Sequence, residues 1–153
     1  MQIQFSTLAP GGYRPSEAAP GNAGRNGGKS YDGRVLVVED DFIIRELAEA
    51  TIQEFGHQTH SASDMDEALL FLRSGQHVDA LVADIRLKTE SLGGLELARQ
   101  AIRLRPHLRV LYTTGSPINK FADLFVDGAH FLRKPYTLSQ LQHSVEQLLA
   151  ASL

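Results

Sequence analysis

Short apolar runs typical of β-strands alternate with helical periodicity along most of the chain. Strands are predicted over residues 34–38, 58–62, 80–83, 109–113 and 129–132. Apolar residues at helical spacing lie between these runs, over residues 41–55, 64–75 and 95–104. Asp64 and Glu67 are expected to form a capping box at the start of the second helix. Thr137 is expected to cap a last helix that carries, on its one inward face, Leu138, Leu141, Val145, Leu148 and Leu149. Five strands that alternate with four clear helices predict a parallel sheet with helices packed on both faces.

Right-handed crossovers restrict such a chain to a doubly wound α/β fold, for which we expect the flavodoxin-like strand order 2-1-3-4-5. The weakest segment is 116–127, between the fourth and fifth strands. Pro117 and Gly128 leave space there for a brief helix only. The fourth helix is therefore expected to be short or irregular.

The first 33 residues differ in composition from the rest of the chain. Ten of them are Gly or Pro, and they contain scarcely an aliphatic run. Such a segment cannot bury enough apolar surface to offset the entropy of ordering its backbone. We expect residues 1–33 to form a flexible Gly/Pro-rich tail and residues 34–153 to form a single domain.

Composition excludes several classes of protein. The chain has no Cys, which rules out a disulfide-stapled fold, thiol catalysis and a Cys-ligated zinc site. The formal net charge of −3 argues against a nucleic-acid-binding surface. No apolar run approaches the ~20 residues that span a bilayer, and the N-terminus lacks a signal-peptide pattern. A cytoplasmic protein without nucleic-acid or membrane partners is expected.

Polar side chains follow the carboxyl ends of four predicted strands. They are Glu39 and Asp40 after the first strand, Asp84 after the third, Thr114 after the fourth and Lys134 after the fifth. An acidic cluster after a strand is often only a solvated helix N-terminus, and a Lys-Pro pair is usually a turn. Ligands nevertheless bind beyond the carboxyl ends of the strands in open α/β sheets. The combination therefore indicates a functional site at this edge of the sheet.

These strand-end motifs resemble those of the receiver domains of two-component response regulators. The resemblance covers about residues 34–150 and rests on VLVVEDD at 35–41, LVADIRL at 81–87, GLEL at 94–97, YTTG at 112–115 and FLRKPY at 131–136. The YTTG run is most similar to single-domain or hybrid-kinase receivers of alphaproteobacterial type. The resemblance implies that Asp84 accepts a phosphoryl group from a histidine kinase or histidine phosphotransfer protein.

The resemblance also implies Mg²⁺ as the cofactor. Its expected ligands are Glu39, Asp40, Asp84 and the backbone carbonyl of Arg86, while Asp41 is left outside the site. Mg²⁺ suits such a set because it prefers a few carboxylates and waters. Three neighbouring carboxylates repel one another, and a cation relieves that repulsion.

Three further residues receive roles from the resemblance. Thr114 is expected to hydrogen-bond the phosphoryl group, and Lys134 to pair with its charge. These roles suit a transfer reaction that depends mainly on positioning and charge neutralisation. Phe131 lies at the position of the switch aromatic, the ring that is expected to rotate inward when the receiver is phosphorylated.

The predicted function is a stand-alone receiver that signals to an unknown downstream protein by protein–protein contact, as a monomer or weak dimer. It would be no enzyme beyond its own phosphorylation and dephosphorylation. One alternative is a phosphate sink, and another is a degenerate receiver that acts only as a binding module. A Mg²⁺-dependent phosphatase or hydrolase with Asp84 as nucleophile is a third, although it usually needs an acid where Arg86 stands.

Overall fold

The computed structural model describes residues 32–87 and 92–150. Its strands are β1 (Arg34–Val38), β2 (Gln58–Ala62), β3 (Ala80–Asp84), β4 (Arg109–Thr114) and β5 (His130–Arg133). Its helices are α1 (Phe42–Glu54), α2 (Met65–Arg73), α3 (Gly93–Leu104) and α4 (Leu138–Ala150). The predicted tail lies outside the described residues except for Asp32 and Gly33.

The five strands form one parallel sheet in the order β2-β1-β3-β4-β5, which confirms the predicted topology. β1 lies between β2 and β3, so that Val38 is opposite Ala62 on one side and Ala83 on the other. Asp84, the last residue of β3, is opposite Thr113 of β4. All side chains of β3 are buried, which explains why that strand is a continuous apolar run up to its terminal acid.

Two apolar layers cover the sheet. Helices α2 and α3 pack on one face and α1 and α4 on the other. The largest fully buried side chains include Tyr112, Leu36, Ile52, Leu72, Leu81, Ile85 and Leu141. Leu138, predicted on the buried face of the last helix, is 45% exposed because it lies in the first turn. No helix in the described part of the chain has both the length and the apolar character needed to cross a membrane.

Side-chain caps begin two of the helices where the sequence predicts them. The Asp64 carboxylate accepts a hydrogen bond from the Glu67 N–H at 2.9 Å, and the Glu67 carboxylate accepts one from the Ser63 N–H at 2.8 Å. The expected capping box therefore forms, except that Glu67 accepts from Ser63, the residue before the N-cap, and not from the N-cap itself. Thr137 accepts from the Gln140 N–H at 3.1 Å, while the Gln140 side chain accepts from the Thr137 N–H at 2.8 Å.

The connection from β4 to β5 contains no α-helix, which confirms the expected irregularity of this segment. It forms two 3₁₀ turns, Ile118–Lys120 and Ala122–Leu124. The buried Tyr112 holds the segment to the sheet: its hydroxyl accepts a hydrogen bond from the Val126 N–H at 3.3 Å. Its ring packs on that of Phe125 with 4.5 Å between centroids.

Deleting residues 1–31 should change the free energy of unfolding by less than about 1 kcal/mol, because their composition lacks a core-forming pattern. Gly33 must be retained. Its carbonyl accepts from the Gln58 N–H at 2.9 Å, and its Cα is so close to Leu149 that an added Cβ would lie 2.7 Å from Leu149 Cδ1.

Urea unfolding monitored by circular dichroism measures both variants. A matched deletion of residues 1–33 should be less stable by about 1–3 kcal/mol, since it leaves a partner of Gln58 missing. A loss above about 2 kcal/mol in the shorter deletion would contradict the prediction, because it would mean that the segment packs on the domain.

Candidate functional site

Three carboxylates meet at the carboxyl ends of the adjacent strands β1 and β3. Glu39 and Asp40 directly follow β1, and Asp84 ends β3. Each offers an oxygen within 4.8 Å of the others. Glu39 is 4% and Asp84 7% exposed, whereas Asp40 is more exposed. The structure thus brings together the three side chains predicted as metal ligands.

Lys134 joins the two buried acids. It follows β5, and its backbone N–H donates to the Thr114 carbonyl at 2.8 Å, which places the side chain beside the neighbouring strand end. Its Nζ lies 2.6 Å from Glu39 Oε2 and 2.9 Å from Asp84 Oδ2. One ammonium group therefore bridges the carboxylates that follow β1 and end β3.

Burial and charge alter the ionisation of this cluster. Burial is the largest cause that raises the pKa of Glu39, and the nearby Asp84 charge adds to it; hydrogen bonding to Lys134 opposes both, leaving a pKa of about 7. Burial lowers the pKa of Lys134, but its hydrogen bonds to Glu39 and Asp84 outweigh burial and raise it overall. Glu39 and Lys134 therefore both hold their protons more tightly than the same side chains do in water.

The turn between β1 and α1 is tightly hydrogen-bonded. Asp41 caps α1, since its carboxylate accepts from the N–H groups of Ile43 at 2.9 Å and Ile44 at 3.1 Å. Its own N–H donates to Glu39 Oε1 at 3.2 Å. Arg45 Nη1 donates to the Glu39 carbonyl at 2.7 Å, a contact that sequence reasoning missed. An Arg near the start of a helix more often faces solvent, and no local signal marks this one.

The backbone around Asp84 is closely packed. The Arg86 N–H donates to Asp84 Oδ1 at 3.1 Å, so the backbone of this residue lies beside the acid. The predicted role of its carbonyl as a metal ligand stays a prediction. Gly94, in the first turn of α3, donates to the Ile85 carbonyl at 2.9 Å. A Cβ added at Gly94 would overlap the Asp84 carbonyl oxygen. The requirement for glycine here was not recognised from the sequence, although GLEL was among the motifs.

Thr114 and Phe131 occupy neighbouring strands near Lys134. Thr114 ends β4 and is 2% exposed, and its Oγ1 accepts from the Ser116 N–H at 3.0 Å. Phe131 lies in β5 opposite Tyr112, and its side chain is 46% exposed. The buried Thr114 hydroxyl therefore lies at the end of β4, and the exposed Phe131 ring lies on β5, the strand that leads to Lys134.

The family model described as the response regulator receiver domain matches residues 35–146, well over half of the sequence. The chain belongs to this receiver domain family. It is 30% identical over 123 residues to the sensor kinase CckA of Brucella abortus, covering 78% of this chain and 13% of CckA. It is 33% identical over 118 residues to the response regulator MprA of Mycobacterium tuberculosis, covering 76% of this chain and 50% of MprA.

Solved structures agree with this assignment. A response regulator receiver protein from Sinorhizobium medicae WSM419 superimposes with a TM-score of 0.73 at 30% identity, covering 79% of this chain and 97% of that one. The receiver domain of the hybrid histidine kinase CckA gives a TM-score of 0.65 at 26% identity, with coverages of 76% and 99%. The receiver spans half or less of the curated relatives, which therefore carry further segments of their own.

The receiver's acidic cluster suits the cation that this family binds at an acidic pocket. Its donors are all oxygens, which Mg²⁺ prefers over nitrogen or sulfur ligands. The three carboxylates outnumber the one ammonium group that contacts two of them. A divalent cation would balance that excess, so the residues present fit Mg²⁺.

Proposed function

We propose that Asp84 of this receiver accepts a phosphoryl group from a histidine kinase or histidine phosphotransfer protein in a Mg²⁺-dependent reaction. The observation that carries the proposal is the bridge of Lys134 to both Asp84 and Glu39 at the strand ends. In this arrangement an ammonium group, the carboxylate proposed as nucleophile and the acids proposed as metal ligands lie within one small site, which supports the proposal. The 153-residue chain is proposed to suffice for the reaction and to pass the signal on by protein–protein contact.

The proposed step is a displacement at phosphorus. A carboxylate oxygen of Asp84 attacks the phosphorus of a phosphohistidine; the new P–O bond forms as the P–N bond breaks, and the imidazole leaves with the donor protein. The transition state is loose and spreads its charge over the equatorial oxygens, so positioning and charge neutralisation dominate the catalysis. Mg²⁺ bound by the carboxylates would supply positive charge to those oxygens.

We assign the other roles to three of the chain's own residues. The Lys134 ammonium group, 2.9 Å from Asp84 Oδ2, can follow the incoming phosphoryl group on its long stem. The Thr114 hydroxyl accepts from the Ser116 N–H and retains its proton to donate to a phosphoryl oxygen. The Arg86 N–H donates to Asp84 Oδ1, and Lys134 donates to Oδ2. When Lys134 moves toward the phosphoryl group, Oδ2 becomes available for the attack.

Phosphotransfer from the purified histidine kinases and phosphotransfer proteins of the source organism tests the proposal. Each donor is phosphorylated, mixed with the 153-residue chain and Mg²⁺, and the modified residue is identified by mass spectrometry. We expect rapid labelling of Asp84 by one donor and its loss when Mg²⁺ is chelated. Failure of every donor to label the chain would contradict the proposed function.

Mg²⁺ alone should stabilise the folded receiver, because it binds the assembled acids and not the unfolded chain. At a hundredfold excess over its dissociation constant, the gain is about 2.7 kcal/mol. Asp40→Asn should remove most of this gain, whereas Glu146→Gln on α4, outside the acidic cluster, should retain it. Thermal unfolding at several Mg²⁺ concentrations measures the effect. A wild-type melting temperature that is insensitive to Mg²⁺ would count against the site.

Thr114→Ala should separate phosphorylation from its surface effect. The acceptor and the metal ligands remain in this variant, so Asp84 should still bind beryllofluoride, a phosphoryl mimic. In the wild type, movement of Thr114 toward the mimic would vacate space that Phe131, now 46% exposed, can fill by rotating inward. Amide spectra with and without beryllofluoride measure this: identical shifts around Phe131 in variant and wild type would refute the coupling.

A further inference from the structure

One arginine outside the acidic cluster fixes the turn that carries two of its acids. Arg45, near the start of α1, donates from Nη1 to the backbone carbonyl of Glu39 at 2.7 Å. Its guanidinium carbon lies 5.5 Å from the centroid of the Phe42 ring, and the side chain is half-buried. The helix that follows the acids thus contacts the backbone of the first of them.

The Glu39 backbone is held on both sides of its Cα. Its N–H donates to the Ala62 carbonyl of β2 at 3.2 Å, and its carbonyl accepts from Arg45. The carboxylate is held separately, by the Asp41 N–H and by Lys134. Arg45 therefore supplies one contact that restrains the peptide plane between Glu39 and Asp40.

We propose that Arg45 is a positioning residue for the cation site. By fixing the Glu39–Asp40 peptide plane, it sets the directions in which both carboxylates face Asp84. The inference rests on the proposed function, because it concerns the Mg²⁺ that the three acids would hold. Hydrogen bonds that orient ligands from outside the metal's own coordination typically change metal affinity by about 10–100-fold.

The charge of Arg45 and its hydrogen bond act in opposite directions. A guanidinium near a cation site repels the cation, so its charge alone weakens Mg²⁺ binding. Its hydrogen bond to Glu39, in contrast, strengthens binding by holding the ligands in place. Removing both charge and donor therefore gives a result whose sign separates positioning from simple electrostatics.

Calorimetric titration of Mg²⁺ into the whole chain at fixed ionic strength provides the test. Arg45→Met keeps an unbranched apolar stem and loses both the charge and the donors; we expect its dissociation constant to rise about tenfold or more. Arg45→Gln also loses the charge, and its amide nitrogen is two bonds nearer the backbone than Nη1, so it should lose the contact with the Glu39 carbonyl as well. We therefore expect its dissociation constant to rise too. Arg73→Met, at the end of α2, removes the same charge at the opposite edge of the sheet and should leave affinity unchanged.

The outcomes discriminate between the two proposals. If wild type binds Mg²⁺ but Arg45→Met binds equally or more tightly, the positioning role is overturned while the proposed function stands. A wild-type chain that does not bind Mg²⁺ overturns both. If Arg45→Met does not fold, Arg45→Gln decides between the two roles, because tighter binding than wild type would show that only charge matters. Circular dichroism without Mg²⁺ establishes which variants are folded.

Discussion

Asp84→Asn should abolish labelling of the chain by every phosphohistidine donor, down to the background of the assay. The neutral amide oxygen is a poor nucleophile, and the substitution also removes one of the three carboxylates that lie within 4.8 Å of one another. Beryllofluoride binding should be lost with it. No other single substitution is expected to affect function as strongly, because Asp84 is both the proposed acceptor and a proposed metal ligand.

Asp66→Asn is the matched control for this experiment. Asp66 is an acid in the first turn of α2, outside the acidic cluster, so the same loss of charge there should leave labelling intact. Amide spectra of Asp84→Asn should show that the fold is retained, since Lys134 keeps its contact with Glu39. Labelling of a folded Asp84→Asn chain at the wild-type rate would show that the acceptor lies elsewhere.

Gly94→Ala should cost the largest amount of stability among simple substitutions near the site. Alanine favours helices over glycine by about 1 kcal/mol, so propensity alone predicts a more stable α3. The added Cβ, however, would overlap the backbone oxygen of Asp84 and come within 2.8 Å of the Ile85 Cα. Backbone atoms cannot swing aside, so β3 and α3 must separate. We expect a loss of about 3 kcal/mol or more.

Gly115→Ala provides the control, because an added Cβ there would meet nothing within 4 Å. Its free energy of unfolding should stay within about 0.5 kcal/mol of wild type. Urea denaturation of the three chains without Mg²⁺ compares them directly. A Gly94→Ala chain as stable as wild type, or more stable, would contradict the close approach of α3 to the end of β3.

The fold follows from the sequence because local signals and the overall pattern agree. β1 and β2 have the predicted bounds, and the other strands differ by one residue at one or both ends. Two helix starts also follow from local sequence, since Asp64 and Thr137 each cap a helix through a short-range hydrogen bond. Leu138 was misplaced because periodicity cannot tell whether a first-turn residue is reached by the opposing layer.

The site could be predicted only as far as strand ends determine it. In a parallel sheet all carboxyl ends lie at one edge, so placing Asp84 and Lys134 at the same edge required only strand order. The bridge of Lys134 to Glu39, 95 residues away in sequence, depends on a side-chain conformation that no local pattern encodes. The contacts of Arg45 and Gly94 are likewise tertiary.

We expect the two 3₁₀ turns between β4 and β5 to be less stable locally than the sheet, because none of their residues is fully buried. Hydrogen exchange reports such differences, since a segment with few buried contacts opens without global unfolding. The 3₁₀ turns are held by short-range bonds such as Phe121 N–H to the Ile118 carbonyl at 2.9 Å, whereas β3 is paired on both sides. Rearranging this connection requires no α-helix to melt, so its amides can exchange rapidly while those of β3 remain protected.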